Sequence, residues 1–307
     1  MRKQLCDALV ARSALGKMVF LTGDLGFMAL EPLRDAMGDR FINAGVAEQN
    51  MISVSAAMAR EGFETWAYSI APFCYARPFE QIRNDICFHG LPVKLIGNGG
   101  GYGYGVMGPT HHAIEDYGIL LTLPKMSVYV PVFDEDLDAV IPLAGDDKGP
   151  AYLRLGRGEP PKGFAVPAYA PWRQLTHGRG MTVIAVGPLA STYVDACRKL
   201  DEALRPNLWA VSELPISKNP LPDALLAQIA NGPGVCVAEE HVARGGLGAE
   251  LALYLAERGL YSKCFRHLCA RAHIYDSYGS QNFLRAKSGL DSAALIACIS
   301  HPVPKSL

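Results

Sequence analysis

Short runs of β-branched and aromatic residues, each followed by a helix-length segment, recur almost from end to end of this chain, and that rhythm restricts it to parallel α/β architectures. The runs MVFLTGD (18–24), TWAYSI (65–70), VKLIGNGG (93–100), SVYVPV (127–132) and AYLRL (151–155) read as strands of one open sheet. From Gly158 to Gly180 the text changes to GEPPKGFAVPAYAPWRQLTHGRG, which carries four prolines and no clear period. It reads as a linker laid over a surface. The rhythm restarts with MTVIAVG (181–187), LWAVSEL (208–214) and VCVAEEH (235–241), followed by the glycine-led amphipathic segment GGLGAELALYLAERG. The expected organisation is two open-sheet α/β domains, residues 1–157 and 181–307, joined by 158–180. A length of 307 residues lets each domain bury its own core.

Composition excludes several functions. With 29 basic against 30 acidic side chains, nothing favours a polyanion, so no nucleic acid is expected. The opening segment MRKQLCDALVARSALGKMVF mixes charges into its apolar positions and reads as an amphipathic helix and strand, not a signal peptide. No apolar run has the length of a membrane span, so no membrane association is expected. The 8 cysteines lack C-x-x-C pairs and metal-ligand spacing against the 8 histidines. They suit reduced thiols in a cytoplasm, and a bound metal is not expected from them.

Four stretches could carry chemistry. In NAGVAEQNMISVSAAMA (43–59), Glu48 opens a helix rich in small residues. A first-turn carboxylate ordinarily complements the helix dipole at the surface. The apolar residues around this one would bury the helix on most sides, making Glu48 a carboxyl of raised pKa able to serve a ring nitrogen. GNGGGYGYGVMGPTHHAIED (97–116) places seven glycines after a strand and then His111 and His112 before a helix expected near Ala113. It lacks the Lys-Ser/Thr of a phosphate-binding P-loop and reads as a loop that closes on a ligand. YLRLGRGEP (152–160) sets Arg154 and Arg157 at a strand end, either as surface residues or as a bidentate phosphate or carboxylate site. In YSIAPFCYARPFEQIRNDI (68–86), Ile70 and Phe73 lie between a strand and a helix expected to start around Arg77.

Together, AGVAEQNM, RPFEQIRNDI, GPTHHAIED and YLRLGR resemble the thiamine-diphosphate enzymes of the transketolase family, across essentially the whole chain. The order resembles their pyrimidine-binding domain followed by their C-terminal domain. Deoxyxylulose-phosphate synthases share YS…R-x-F/Y-[DE]-Q and GPTH and are close competitors. The resemblance implies that Glu48 hydrogen-bonds N1′ of the cofactor's aminopyrimidine, Phe73 stacks on that ring, Ile70 walls it, and Asp24 of TGDLG lies near the amino and thiazolium groups. It further implies that His111 contacts the donor's oxygen and that Arg154, with Arg157 beside it, holds a phosphate or carboxylate of the substrate.

Met107 stands where the family usually has an aspartate that contacts a sugar hydroxyl, and Gly99 where many members keep a histidine. A thioether accepts such a bond poorly. Both changes point to a modified or deoxygenated sugar. TGDLG is not the G-D-G motif that holds Mg²⁺ and the diphosphate, so the resemblance implies an N-terminal partner subunit supplying both, in a two-plus-two assembly. The expected activity is transfer of a two-carbon ketol unit from a ketose to an aldehyde. The alternatives are decarboxylating acyl transfer from a 2-oxo acid and a non-catalytic structural subunit.

Overall fold

A computed structural model of the chain describes residues 1–300. Among the described residues, twelve strands form two sheets: β1 (Met18–Thr22), β2 (Phe41–Asn43), β3 (Glu64–Ile70), β4 (Val93–Asn98), β5 (Ser127–Tyr129), β6 (Ala151–Leu155), β7 (Trp172–Gln174), β8 (Thr182–Val186), β9 (Asn207–Val211), β10 (Glu213–Leu214), β11 (Val235–Val242) and β12 (Phe265–Ala270). The first sheet has the order β10-β5-β6-β4-β3-β1-β2 and the second β12-β11-β8-β9-β7. Every pairing is parallel except those of β10 with β5 and β7 with β9.

Parallel strands need crossovers, and the helices that supply them cover both faces of the first sheet. The consequence is visible in β1: Met18 and Phe20 enter one core with Trp66 and Leu153, whereas Val19 and Leu21 enter the other with Met51 and Ala67. Residues of the second sheet, among them Ile184, Trp209 and Val237, join that second core. One continuous apolar layer therefore holds the two sheets together and fixes the loops between them.

Three expectations change. The stretch that reads as a linker already contributes a strand, because Trp172–Gln174 pairs with β9 at the edge of the second sheet. LWAVSEL divides between the sheets, with Asn207–Val211 in the second and Glu213–Leu214 on the edge of the first. An additional short helix, Ala71–Tyr75, precedes the helix expected around Arg77, which begins at Phe79 and continues as a π-helix to Cys87. Pro72 fits the first turn of the short helix, and Pro78 separates it from the one that follows.

Candidate functional site at the carboxyl edge of the first sheet

Asp24 follows β1, Glu48 follows β2, Ile70 ends β3, the glycine loop follows β4, and Arg157 follows β6. All lie past the carboxyl ends of parallel strands, where an open α/β sheet leaves a crevice. The chain thus assembles its candidate residues on one edge although they span 134 positions from 24 to 157.

Glu48 is the first residue of the helix Glu48–Arg60, whose buried side chains Met51, Ile52, Ser55, Ala56 and Ala59 recur at helical spacing. This is one buried stripe; Gln49, Asn50, Val54 and Ala57 are exposed, so the helix is not enclosed on most sides as the sequence suggests. Glu48 nevertheless heads the buried stripe and is only 4% exposed. Its carboxylate accepts from Arg77 Nη1 at 3.0 Å to each oxygen. The same guanidinium lies over the Phe73 ring, with Cζ 3.9 Å from its centroid. Arg77 itself is about half exposed, at 46%.

His111 completes the group. Its ring meets Phe73 edge-on with centroids 5.1 Å apart, and its Nδ1 lies 2.9 Å from Thr110 Oγ1. Burial and then the nearby Arg77 charge push its pKa below the ordinary imidazole value, which favours a neutral ring. Three sequence-predicted residues, Glu48, Phe73 and His111, therefore meet around one that reads in the sequence only as a helix start, Arg77. Its motif is visible there, but its pairing with a residue 29 positions earlier is not.

Small and neutral residues line the same corner. A Cβ on Gly23 would come within 3.7 Å of Glu48 and 3.5 Å of Ser69 Oγ. That hydroxyl is buried and makes no hydrogen bond among the described residues. Burial, with Glu48 beside it, pushes the Cys74 thiol up to about 12, so it stays protonated. Asp24, at φ 58, receives a 2.7 Å hydrogen bond from Asn43 Nδ2. Both line a cleft of about 290 Å³ next to the corner, with the exposed Phe27 on its rim.

The glycine loop turns back on itself through a bridge between Gly101 and Ala113. The helix expected near Ala113 is instead a single tight turn, Pro109–His111, and the α-helix starts at Asp116. At Gly99, φ is +79 and a Cβ would lie 2.2 Å from the Tyr104 ring. Tyr104 fills the space a side chain there would need, and its hydroxyl accepts from Asn98 Nδ2 at 2.6 Å. Met107 lies on the loop's exposed rim. Arg157 is exposed and lines a hollow of about 200 Å³ with Arg2, Asn98, Tyr104 and Gln281.

Arg154 requires a correction. The sequence pattern predicts that it holds a substrate anion, but it lies within β6, whose residues are all buried. Its Nε stands 2.8 Å from Asp116 Oδ2, and its Nη2 donates to the carbonyls of Ala113 and Glu240, both at 2.8 Å. The side chain ties the glycine loop to the second sheet. Of the two arginines, only Arg157 faces a space a ligand could enter.

The arrangement offers a recessed carboxylate, an aromatic face covered by a planar N–C–N cation, a neutral imidazole and an exposed guanidinium at the far end. A flat nitrogen heterocycle could satisfy the first two simultaneously. The family model for the transketolase pyrimidine binding domain matches residues 9–162. The chain belongs to that family.

Among curated relatives, a subunit of the apulose-4-phosphate transketolase of Actinobacillus succinogenes is 28% identical over 272 residues, 87% of this chain and 86% of the relative. A 1-deoxy-D-xylulose-5-phosphate synthase of Geobacter sulfurreducens is 31% identical over 83% of this chain, but only 41% of its own length takes part. Among solved structures, a split-gene transketolase in an inactive β4 tetramer superposes with a TM-score of 0.81 at 29% identity, covering 97% of this chain and 96% of that one. The transketolase family is one of transferases dependent on thiamine diphosphate, and the fold is that of its pyrimidine-binding and C-terminal domains. No group of residues suited to a metal ion occurs among the described residues, and no described helix is long and apolar enough to cross a membrane.

Proposed function

We propose that this chain is the C-terminal subunit of a two-chain transketolase, transferring a two-carbon ketol unit from a phosphorylated or otherwise modified ketose to an aldehyde. The observation that carries the reading is the Glu48–Phe73 corner, where Arg77 already presents a planar nitrogen cation to both residues. This local chemistry fits an aminopyrimidine. The bound cofactor would supply a nucleophilic carbon and an electron sink for cleavage of the donor's carbon–carbon bond. Glu48 would exchange a proton with the pyrimidine's ring nitrogen, Phe73 would stack on the ring and Ile70 would wall it. Asp24 would stand near the amino and thiazolium groups.

For the substrate, His111 would hydrogen-bond the donor's oxygen, and its lowered pKa favours the neutral form for that work. Arg157 would hold the phosphate from the hollow it shares with Arg2 and Asn98. Met107 on the rim and the Tyr104 ring packed over Gly99 provide few acceptors for sugar hydroxyls there, which supports a donor with fewer or rearranged hydroxyls.

Similarity along nearly their full lengths to one subunit of a transketolase and to a split-gene transketolase supports dependence on a diphosphate-binding partner chain. We place Mg²⁺ mainly on that chain and expect two copies of each subunit, following the preference of oligomers for symmetry. Residues 1–157 would form the pyrimidine-binding domain and 181–307 the C-terminal one. The site of action in this reading is the cytoplasm, in carbohydrate metabolism.

The synthase relative favours a second reading, in which a 2-oxo acid is the donor and CO₂ leaves. Purification with a diphosphate-binding transketolase subunit, followed by incubation with thiamine diphosphate, Mg²⁺ and an aldehyde, separates the two. The proposal expects acceptor lengthening by two carbons with a ketose phosphate and no CO₂. Turnover only with pyruvate, accompanied by CO₂, would replace it with the second reading.

A further inference from the structure

Arg77 makes two contacts that one small ligand would otherwise make. Its Nη1 bonds both oxygens of Glu48 at 3.0 Å, and its guanidinium lies 3.9 Å above Phe73, in van der Waals contact with the ring face. Guanidinium and an aminopyrimidine protonated at its ring nitrogen are both planar, delocalised nitrogen cations that donate a hydrogen bond to a carboxylate and stack. They cannot occupy the same face of Phe73 together.

We propose that Arg77 is a built-in placeholder for the pyrimidine ring, holding the site in a self-occupied state that a ligand must displace. The inference rests on the cofactor reading above and adds a residue to it. Three observations support displacement over a permanent pairing. Arg77 is 46% exposed while Glu48 is 4% exposed, so the arginine has solvent to move into and the carboxylate does not. It sits between two short helices and immediately before Pro78, where no regular hydrogen-bond ladder holds its backbone. Glu48 and Arg77 share a cleft of about 530 Å³ with Val46, Ala47, Gln49 and Asn50, which leaves room beside the pair.

Self-occupation has a physical consequence. Apparent affinity for an incoming ring is reduced by the fraction of molecules in which the arginine has left. A half-exposed ion pair and a cation–π contact of ordinary strength together hold that fraction low, to an extent of roughly 3- to 30-fold. Meanwhile the placeholder keeps the recessed Glu48 partnered and the Phe73 face covered.

The test uses the full chain and 4-amino-5-hydroxymethyl-2-methylpyrimidine as probe, with binding followed by calorimetry and by the NMR shifts of labelled phenylalanine rings. Arg77→Ala should bind the probe roughly 3- to 30-fold more tightly than the unmodified chain, with Phe73 shifted by the probe. Arg77→Lys, which keeps the charge but loses the planar stack, should fall between them and guards against misfolding of the alanine variant. Adding Phe73→Ala to Arg77→Ala should cancel the gain. Equal or weaker probe binding by folded Arg77→Ala, including no detectable binding, would overturn the placeholder. Thiamine diphosphate binding by the unmodified chain mixed with a diphosphate-binding subunit is measured in parallel. Retained cofactor binding there confines the failure to Arg77, and its loss removes the cofactor reading as well.

Discussion

Glu48 and Glu239 are both recessed carboxylates beside the first turn of a helix, and their surroundings differ in kind. Glu239, fully buried on β11, receives the Tyr117 hydroxyl at 2.5 Å, His267 Nε2 at 2.7 Å, and the backbone N–H groups of Leu247 and Gly248 at 2.8 and 2.9 Å. Burial opposes its ionisation, but these bonds, led by His267, bring its pKa below the usual carboxylate value. Glu48 has one side-chain partner among the described residues, the half-exposed Arg77. A saturated carboxylate is part of the framework. A carboxylate with one half-exposed partner has hydrogen-bonding capacity left, and the difference distinguishes the two sites more clearly than burial does.

The contrast breaks most visibly if Glu239 proves dispensable. Replacing it by alanine strands four donors in the interior, so Glu239→Ala should lose about 3–5 kcal/mol of stability in urea unfolding. A loss near zero would mean that the network is not what holds the helix Leu247–Glu257 against β11.

The glycine loop between the two carboxylates gives a smaller, pH-dependent effect. His112 is buried, stacks parallel to His273 at 5.7 Å, and neither ring nitrogen is hydrogen-bonded among the described residues. Burial, and secondarily the His273 charge, lowers its pKa to about 4. Its unfolded value is higher, so its stabilising contribution is complete above about pH 6.5 and lost as pH falls through 4. His273 is shifted the other way, raised first by its bond to Glu115, so its contribution is complete below the ordinary histidine value and lost as pH rises through the folded one. Between pH 6.5 and 4 the native chain should lose about 2–3 kcal/mol more than His112→Phe, measured by paired unfolding curves. Parallel curves would mean that His112 charges freely in the fold.

Glu48→Gln should change stability least, by under about 1 kcal/mol, because its side-chain partner among the described residues is partly in solvent and the amide is close to isosteric. A cost matching that of Glu239→Ala would erase the distinction between the two sites.

What is legible in the sequence follows the same division. Strand positions emerge from β-branched runs because both sheets are covered on both faces, and Glu48, Phe73 and His111 emerge because each lies in a short motif next to a strand end. Pairings across the chain do not. Arg77 reaches Glu48 over 29 positions, and Glu239 takes donors from three separate segments. Arg154 reads as a substrate ligand because it shares a motif with Arg157. The strand ends at Leu155, however, so the first arginine lies in the covered body of the sheet and the second beyond it. Trp172–Gln174 is hidden by its proline-rich approach, since an edge strand of three residues leaves little periodicity to read.

The central claim, that Glu48 is the carboxylate of the chemistry and Glu239 that of the framework, is tested most directly by hydrogen–deuterium exchange at C2 of thiamine diphosphate bound to the complex reconstituted with its diphosphate-binding subunit. Glu48→Gln should slow exchange by roughly two to four orders of magnitude, the scale of general acid–base catalysis. Glu239→Gln, compared per folded molecule, should exchange at the native rate. Native-rate exchange in Glu48→Gln would contradict the account.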